Sequence, residues 1–267
     1  MSRLAPMTET MEKNQTANQA ASSQAASGQA ADERAALAPA PLGQPQRDPL
    51  EGSDVVRNAC GDAFGKLEMF HGKLVAEGGK RGLIGPREVP RLWERHILNS
   101  AALVPFVEDF AARAVPKSEQ CHVADIGSGA GFPGIVLAAM LPQAKFTLIE
   151  PMERRVDWLE EVVGELGLEN VEVVRDRAED YPHKGSFDIV VCRAVARLAK
   201  LVPWAMPLVR PGGRVIALKG QSAQQEIDKA AKEIRKARGL DPAVHGAPVG
   251  QGLEPTFVVT IDKRARR

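Results

Sequence analysis

The stretch Asp125-Ile126-Gly127-Ser128-Gly129-Ala130-Gly131-Phe132-Pro133-Gly134 decides the fold class. It follows the short apolar run Val123–Ile126 and precedes the apolar run Ile135–Leu141, an order typical of a strand, a tight turn and a helix. Glycine adopts positive φ angles and lets a ligand approach the backbone closely. The N-terminus of the following helix adds N–H donors. The sequence therefore predicts a strand-to-helix loop that binds a ligand.

On the C-terminal side of this loop, short β-rich runs alternate with helical runs. The predicted strands are Val123–Ile126, Lys145–Glu150, Val171–Val174, Phe187–Cys192, Gly213–Lys219 and Thr256–Ile261. The predicted helices are Ile135–Leu141, Met152–Leu166, Leu198–Val209 and a last one near 222–237. One or two closing strands follow this last helix, and Thr256–Ile261 is the clearer of them. Strands that alternate with helices of this length are joined by right-handed crossovers and form a parallel sheet. We therefore predict an α/β fold with a doubly wound, mostly parallel sheet.

The N-terminal side divides into two parts by composition. Residues 1–50 are rich in Ala, Gln, Ser and Pro and have few large apolar side chains, so we predict a disordered tail. Residues 51–118 have apolar side chains at three- and four-residue steps, with a break at Gly78-Gly79 and a stop near Pro105. This spacing predicts a small helical cap. Residues 119–267 then form the α/β domain, which ends in a short basic tail.

Composition excludes several classes of protein. The chain has 267 residues, with 35 Lys and Arg against 34 Asp and Glu, a balance that suits a soluble globular protein and not one that is basic throughout. Its low cysteine content favours a reducing cytoplasm. It has no apolar run of the roughly 18 residues that a membrane helix needs. Its three cysteines are Cys60, Cys121 and Cys192, too few and too far apart for a disulfide framework or a zinc cluster.

The glycine loop is compatible with two classes of cofactor, a dinucleotide or a nucleoside that has an amino-acid group. Gly129, Gly131 and Gly134 match the dinucleotide pattern G-x-G-x-x-G. Counted from Gly127, the first glycine after the strand, this pattern would put Phe132 in the place of its third glycine. The acidic residue at the strand end would also face a cationic amino group better than a pyrophosphate. The dinucleotide match is therefore weak.

The pattern Asp-x-Gly-x-Gly, followed by an acidic residue at the next strand end, resembles that of S-adenosylmethionine-dependent methyltransferases. Here those acidic residues are Asp125 and Glu150. An acidic side chain about 20 residues after the loop is typical of a contact to the ribose hydroxyls of a nucleoside cofactor. We predict that Asp125 binds the methionine amine and that Glu150 binds the ribose.

The end of the fourth predicted strand narrows the reaction. Its sequence Val191-Cys192-Arg193-Ala194 lacks the Asn/Asp-Pro-Pro-aromatic run of enzymes that methylate an adenine amine. A pyrimidine carbon-5 methyltransferase needs a nucleophilic cysteine here. Cys192 is the one candidate, but Arg193 and not proline follows it, so a small buried strand residue is the favoured interpretation.

Four motifs in order resemble one methyltransferase family. They are Arg95-His96-Ile97-Leu98-Asn99-Ser100, the loop from Asp125 to Ile135, Cys192-Arg193-Ala194, and Ala217-Leu218-Lys219-Gly220. Together they are similar to ribosomal RNA small subunit methyltransferase G, over about residues 51–262. The resemblance implies a class I methyltransferase fold with an N-terminal helical extension. It also implies methylation by S-adenosylmethionine of N7 of one guanine in the decoding-region loop of 16S rRNA.

The resemblance also assigns roles to individual residues. It places Gly127 and Phe132 along the cofactor, Ala178 and Glu179 beside its adenine, and Arg193 between cofactor and substrate. With the residues derived above, the predicted cofactor site is Asp125, Gly127, Gly129, Phe132, Glu150, Ala178, Glu179 and Arg193. We predict Arg193 and Lys219 as the catalytic residues. Members of the family usually have Asp or another short polar residue near position 150, so the ribose contact of Glu150 stays open.

Basic residues at or just after the predicted strand ends are candidates for RNA contacts, because arginine binds phosphates bidentately and stacks on bases. The predicted RNA-binding residues are Arg154, Arg177, Arg197 and Lys219. His96 is more consistent with a structural hydrogen bond between the cap and the catalytic domain than with a place in the site.

Two other functions stay open at this point. One is a methyltransferase that acts on a small molecule or a protein, and the other is a noncatalytic protein that binds a nucleotide. The expected partner is 16S rRNA, naked or within the 30S subunit. We expect a monomer without a metal ion or a membrane partner.

Overall fold

The computed structural model describes residues 47–193 and 195–265, and these belong to one compact unit. Most of the predicted disordered tail, residues 1–46, lies outside the described residues. Ordered contacts begin before the predicted boundary at residue 51. The buried carboxylate of Asp48 accepts hydrogen bonds from the backbone N–H groups of Leu50 and Trp93, at 3.0 and 2.9 Å.

Within the described residues, one seven-stranded sheet has the strand order β3-β2-β1-β4-β5-β7-β6. The strands from β1 to β5 are parallel, and β7 pairs antiparallel with β5 and with β6. The strands are β1 His122–Ile126, β2 Lys145–Ile149, β3 Val171–Val174, β4 Phe187–Arg193, β5 Val209–Lys219, β6 Gly239–Ala247 and β7 Thr256–Lys263. This arrangement confirms the predicted doubly wound, mostly parallel sheet.

Seven labelled helices of the described residues surround the sheet. They are α1 Asp54–Cys60, α2 Phe64–Lys73, α3 Val104–Ala114, α4 Gly134–Met140, α5 Glu153–Leu166, α6 Leu198–Leu208 and α7 Ala223–Lys236. Shorter helical segments in the described chain are Gly61–Ala63, Leu74–Gly78, Val89–Arg91, Trp93–Leu98 and Asn99–Ala101. The long helices form because their apolar residues recur at helical spacing, as in α5, where Val156, Leu159, Val162 and Leu166 are buried.

Both faces of the sheet are covered. Along β4, Ile189 and Val191 belong to the core cluster that includes the helices before β1, α4 and α5. The intervening Val190 and Cys192 belong to the opposite cluster, with α6 and α7. Successive side chains of a strand point to opposite faces, so a strand buried on both faces has a continuous apolar sequence. The helical cap predicted for residues 51–118 contributes to the first cluster.

Two elements differ from the predictions. Pro105 lies in the first turn of α3 and does not end the helical region, because proline is tolerated where the backbone N–H has no helical partner. The second of the two possible closing strands had no predicted residues, and the structure places it at β6, where Asp241-Pro242 interrupts the sequence. It lies at the sheet edge and its pairing shifts register between Leu240 and Ala243, a position where proline is compatible with a strand.

Candidate functional site

The glycine loop joins the carboxyl end of β1 to α4. Gly127, Gly129 and Gly131 have φ angles of 67°, 59° and 109°, which residues with a Cβ rarely adopt. The loop is tied to the next strand, because the Gly127 N–H donates to the Ile149 carbonyl at 2.8 Å. A Cβ at Gly134 would lie 2.6 Å from Asp125 Oδ2. The loop therefore folds tightly over the end of β1 and depends on glycine to do so.

Asp125 lies at the base of this loop and is completely buried. Its Oδ2 accepts a hydrogen bond from the Gly134 N–H at 3.0 Å, whereas its Oδ1 has no partner among the described residues. Burial raises the pKa of the Asp125 carboxyl to about 7, against the opposing effects of Ser128, Gly134 and Arg193. A buried carboxylate oxygen without a donor is a suitable acceptor for a cationic amino group.

Glu150 follows β2 and joins the same loop. Its Oε2 accepts from the Gly129 N–H at 2.9 Å and its Oε1 accepts from the Met152 N–H at 3.0 Å, with the residue 1% exposed. Arg155 Nη1 lies 3.8 Å from Oε1. The structure thus brings Asp125, Gly129 and Glu150 together, and Glu150 holds the loop from the neighbouring strand. Its predicted contact to a ribose stays a prediction.

Arg193 ends β4 on the other side of the loop. Its guanidinium lies 4.7 Å above the ring centre of Phe132 and donates to the Arg95 carbonyl at 2.9 Å and to His96 Nδ1 at 2.7 Å. Burial lowers the pKa of Arg193 to about 10, so the guanidinium is still charged at neutral pH. His96 makes the hydrogen bond to the sheet region that its sequence context predicted.

Lys219 ends β5 and is held by protein partners. Its Nζ donates to the Ala196 carbonyl at 2.5 Å and to Glu226 Oε2 at 2.9 Å, and its side chain is 9% exposed. The same Glu226 oxygen accepts from the Leu198 N–H at 2.9 Å. Lys219 therefore fixes the chain between β4 and α6 to helix α7. Its predicted roles in catalysis and RNA binding stay predictions.

An open cleft of about 490 Å³ lies at the carboxyl ends of β4 and β5. It is lined by Arg193 and Lys219 together with residues that the sequence analysis did not assign to the site, among them Glu88, Arg95 and Asn99. Glu88 lies in no sequence pattern that would place it near a strand end. The sequence indicated the side of the cleft formed by Glu88, Arg95 and Asn99 only through the Arg95-His96 motif of the resemblance. The cleft thus lies between the helical cap and the carboxyl ends of these two strands.

The predicted adenine contacts, Ala178 and Glu179, follow β3 at the same edge of the sheet. Both carbonyl groups accept hydrogen bonds from Lys184 Nζ, at 3.0 and 2.8 Å. Among the described residues, no hydrogen bond connects Ala178 or Glu179 to the glycine loop. Lys184, which lies on the same connection between β3 and β4, therefore holds the backbone of Ala178 and Glu179.

Cys192 and the exposed arginines have contrasting environments. Burial raises the pKa of Cys192 to about 12, so it is a neutral thiol and not a nucleophile at neutral pH, in agreement with the favoured interpretation. Arg154, Arg177 and Arg197 are exposed, and within residues 47–193 and 195–265 their side chains make no hydrogen bond or ion pair. Their guanidinium groups are thus available to an external anion.

None of the helices of the described chain is long and apolar enough to cross a membrane. The described chain also contains no group of three or more His, Cys, Asp or Glu side chains arranged to hold a metal ion.

The chain is similar to known proteins of one family. The family model for rRNA small subunit methyltransferase G matches residues 64–249. A ribosomal RNA small subunit methyltransferase G from Bifidobacterium adolescentis is 52% identical over 243 residues, covering 81% of this chain and 96% of that relative. One from Corynebacterium glutamicum is 48% identical over 206 residues, covering 75% and 87%.

Among solved structures, a SAM-dependent O-methyltransferase from Thermotoga maritima has a TM-score of 0.49 and 16% identity, covering 74% of this chain and 72% of that chain.

The family match spans α2 to the residues after β6 and includes the glycine loop, Glu150, Arg193 and Lys219. The sequence identity extends over most of each chain. The chain therefore belongs to the rRNA small subunit methyltransferase G family.

Proposed function

We propose that this protein transfers the methyl group of S-adenosylmethionine to N7 of one guanine in the decoding-region loop of 16S rRNA. The observation that carries the proposal is the family match over residues 64–249, which includes the glycine loop and both acidic strand ends. The guanine and its N7 atom come from the resemblance and are part of the proposal. An RNA substrate agrees with the name of the family.

The residues present fit S-adenosylmethionine. Asp125 Oδ1 is a buried acceptor without a donor, and the cofactor's methionine ammonium would supply one. The positive φ angles of Gly127 and Gly129 leave the loop without side chains where a nucleoside would approach. When bound, the cofactor supplies an electrophilic methyl group on a sulfonium centre. The protein's part is to hold the reacting atoms in line.

Attack by guanine N7 requires no general base, because N7 already has an in-plane lone pair. Three titratable side chains at this edge, Glu150, Asp125 and His96, already accept or donate hydrogen bonds within the protein. Glu150 accepts two backbone N–H groups, Asp125 accepts one, and His96 is bonded at both ring nitrogens. This arrangement supports catalysis by positioning and electrostatics, with no proton acceptor for the substrate.

The decisive assay uses S-adenosylmethionine tritiated in its methyl group and 30S subunits that lack the modification. Borohydride reduction followed by aniline cleavage then maps N7-methylguanine. A single cleavage in the decoding-region loop is the expected result. Incorporation without cleavage would keep methyl transfer and overturn N7. Incorporation only into a small molecule or a protein would favour a methyltransferase that acts on such a substrate. Cofactor binding without transfer to any of these acceptors would favour a noncatalytic protein that binds a nucleotide.

Cofactor affinity is expected to increase as the pH rises through about 7. The pKa of Asp125 is raised to about 7, so below that pH the carboxyl is neutral and attracts the methionine ammonium less. Asp125→Asn keeps the acceptor for the Gly134 N–H and should remove this pH dependence. Calorimetric titration with S-adenosylhomocysteine from pH 5.5 to 8.5 measures it.

The free energy of unfolding of the cofactor-free protein should decrease as the pH rises, whereas the cofactor affinity increases. A carboxyl whose pKa is higher in the folded protein than in the unfolded chain stabilises the fold at low pH, and this contribution is lost as the pH rises through the folded value.

For cofactor binding, an equally steep pH dependence in Asp125→Asn and in the wild type would remove Asp125 from the cofactor site.

The exposed arginines Arg154, Arg177 and Arg197 are expected to bind RNA phosphates. Replacing all three by Ala should raise the KM for RNA about tenfold or more and reduce the salt dependence of binding by about 0.7–0.9 per lost contact in log K against log salt. The kcat and the cofactor Kd should stay the same. Filter binding at several salt concentrations, with kinetics, provides the measurement.

A matched control is Lys145→Ala. Lys145 is also exposed, but it begins β2 at the opposite edge of the sheet. Because the control removes one positive charge and the triple variant removes three, the two losses are compared per residue. An equal loss of RNA affinity per substituted residue would mean that net charge, and not this edge of the sheet, determines binding.

A further inference from the structure

A hydrogen-bonded chain of three side chains connects the helical cap to the end of β4. Glu88 Oε2 lies 2.8 Å from His96 Nε2, and His96 Nδ1 lies 2.7 Å from Arg193 Nη2. The His96 side chain is 14% exposed and that of Glu88 is 33% exposed. Neither Glu88 nor His96 belongs to the predicted site, yet both line the cleft together with Arg193.

The chemistry of arginine fixes the protonation of His96. A guanidinium has only N–H donors, so Nδ1 must accept the bond from Arg193 and has no proton. The single proton of the neutral ring is then on Nε2, which donates to Glu88. Burial and the charge of Arg193 lower the pKa of His96, Arg95 acts in the same direction, and Glu88 opposes them. The neutral tautomer is therefore the one compatible with all of its neighbours.

Packing confines the guanidinium further. The His96 ring centre lies 5.2 Å from that of Phe132, and the Arg193 guanidinium lies 4.7 Å above the same Phe132 ring. The Arg95 carbonyl accepts from Nη1 at 2.9 Å. Hydrogen bonds within the described residues thus use two of the five N–H donors of Arg193. The other N–H groups have no hydrogen-bond partner among the described residues, and Arg193 lines the cleft.

We propose that His96 and Glu88 are positioning residues for methyl transfer. His96 accepts from Arg193, Glu88 holds the His96 ring in the required tautomer, and the two set the orientation of the Arg193 guanidinium beside the methyl-transfer site. The proposal rests on the proposed role of Arg193 in that reaction. It gives the helical cap a part in catalysis, since Glu88 and His96 both precede β1 in the chain.

The test exploits the two ring nitrogens separately. In His96→Asn the side-chain oxygen takes the place of Nδ1 and still accepts from Arg193. In His96→Gln the amide reaches the place of Nε2 and Glu88 but offers no acceptor at the place of Nδ1. We expect kcat for 30S methylation to fall about 10-fold to 100-fold in His96→Gln and to stay within about threefold of the wild type in His96→Asn.

The KM for 30S subunits, the cofactor Kd and the Tm should differ little between the two His96 variants. Equal losses of kcat in both, no loss in either, or a change confined to KM would each overturn the proposal. Glu88→Ala decides the matter if the His96 variants do not fold, because Glu88 lies in a partly exposed turn. It should lower kcat without changing KM, and an unchanged kcat would overturn the proposal.

Arg193→Ala separates this inference from the proposed function. If Arg193→Ala retains activity, the role of Arg193 is wrong and the positioning role of His96 is overturned with it. If Arg193→Ala is inactive and His96→Gln is fully active, only the positioning role is overturned.

Discussion

Arg193→Ala should lower kcat for methyl transfer by about 100-fold or more, the loss typical of removing one preorganised polar group from an active site. Arg193 ends β4 beside the glycine loop, and its guanidinium is held by the Arg95 carbonyl, His96 Nδ1 and the Phe132 ring. An alanine loses all three contacts together with the charge beside Asp125. Single-turnover kinetics with saturating cofactor and 30S subunits isolate the chemical step.

Arg210→Ala is a matched control for this prediction. Arg210 also donates to a backbone carbonyl, that of Ala114 at 3.0 Å, and pairs with Asp188 at 2.5 Å, but it lies at the start of β5 on the opposite edge of the sheet. We expect its loss to lower the Tm without lowering kcat. Arg193→Lys should behave like Arg193→Ala, because an ammonium lacks the planar fork that bonds two acceptors. Normal turnover in Arg193→Ala at an unchanged Tm would exclude Arg193 from the mechanism.

The sequence predicts what depends on local patterns. Short apolar runs between helical segments indicated the parallel strands, because a strand covered on both faces has a continuous apolar stretch, as β4 has from Ile189 to Cys192. The glycine loop was evident because its positive φ angles require glycine. Glu150 was found by its distance from that loop, and the structure joins it to the Gly129 N–H.

The rest of the site depends on contacts between residues far apart in the chain. His96 connects Glu88 to Arg193, and Glu226 reaches Lys219 and the Leu198 N–H from helix α7. No single-sequence pattern specifies which carboxylate pairs with which cation. Lys219 illustrates the consequence, since the sequence predicted a catalytic and RNA-binding residue at a strand end and did not predict its ion pair with Glu226.

Gly129→Ala should weaken cofactor binding at least tenfold, or about 1.4 kcal/mol. The φ angle of Gly129 is 59° and a Cβ there would meet no protein atom closer than 3.7 Å, so the free protein has room for the methyl group. The Gly129 N–H bonds to Glu150, which places the added methyl group beside the predicted ribose site. Calorimetry with S-adenosylhomocysteine gives the Kd, and thermal melting gives the cost of the φ angle, about 1 kcal/mol or more.

Gly167→Ala separates backbone strain from obstruction of the ligand. Gly167 has a φ angle of 58° and open space around its Cβ position, and it ends helix α5 at the opposite edge of the sheet. Both substitutions therefore impose a similar backbone strain, and the two proteins should lose similar stability. Only Gly129→Ala should lose cofactor affinity, because only its methyl group lies where the nucleoside is expected. Equal Kd values for the two variants would mean that the cofactor does not approach the backbone at Gly129, and the site assignment at this loop would then be wrong.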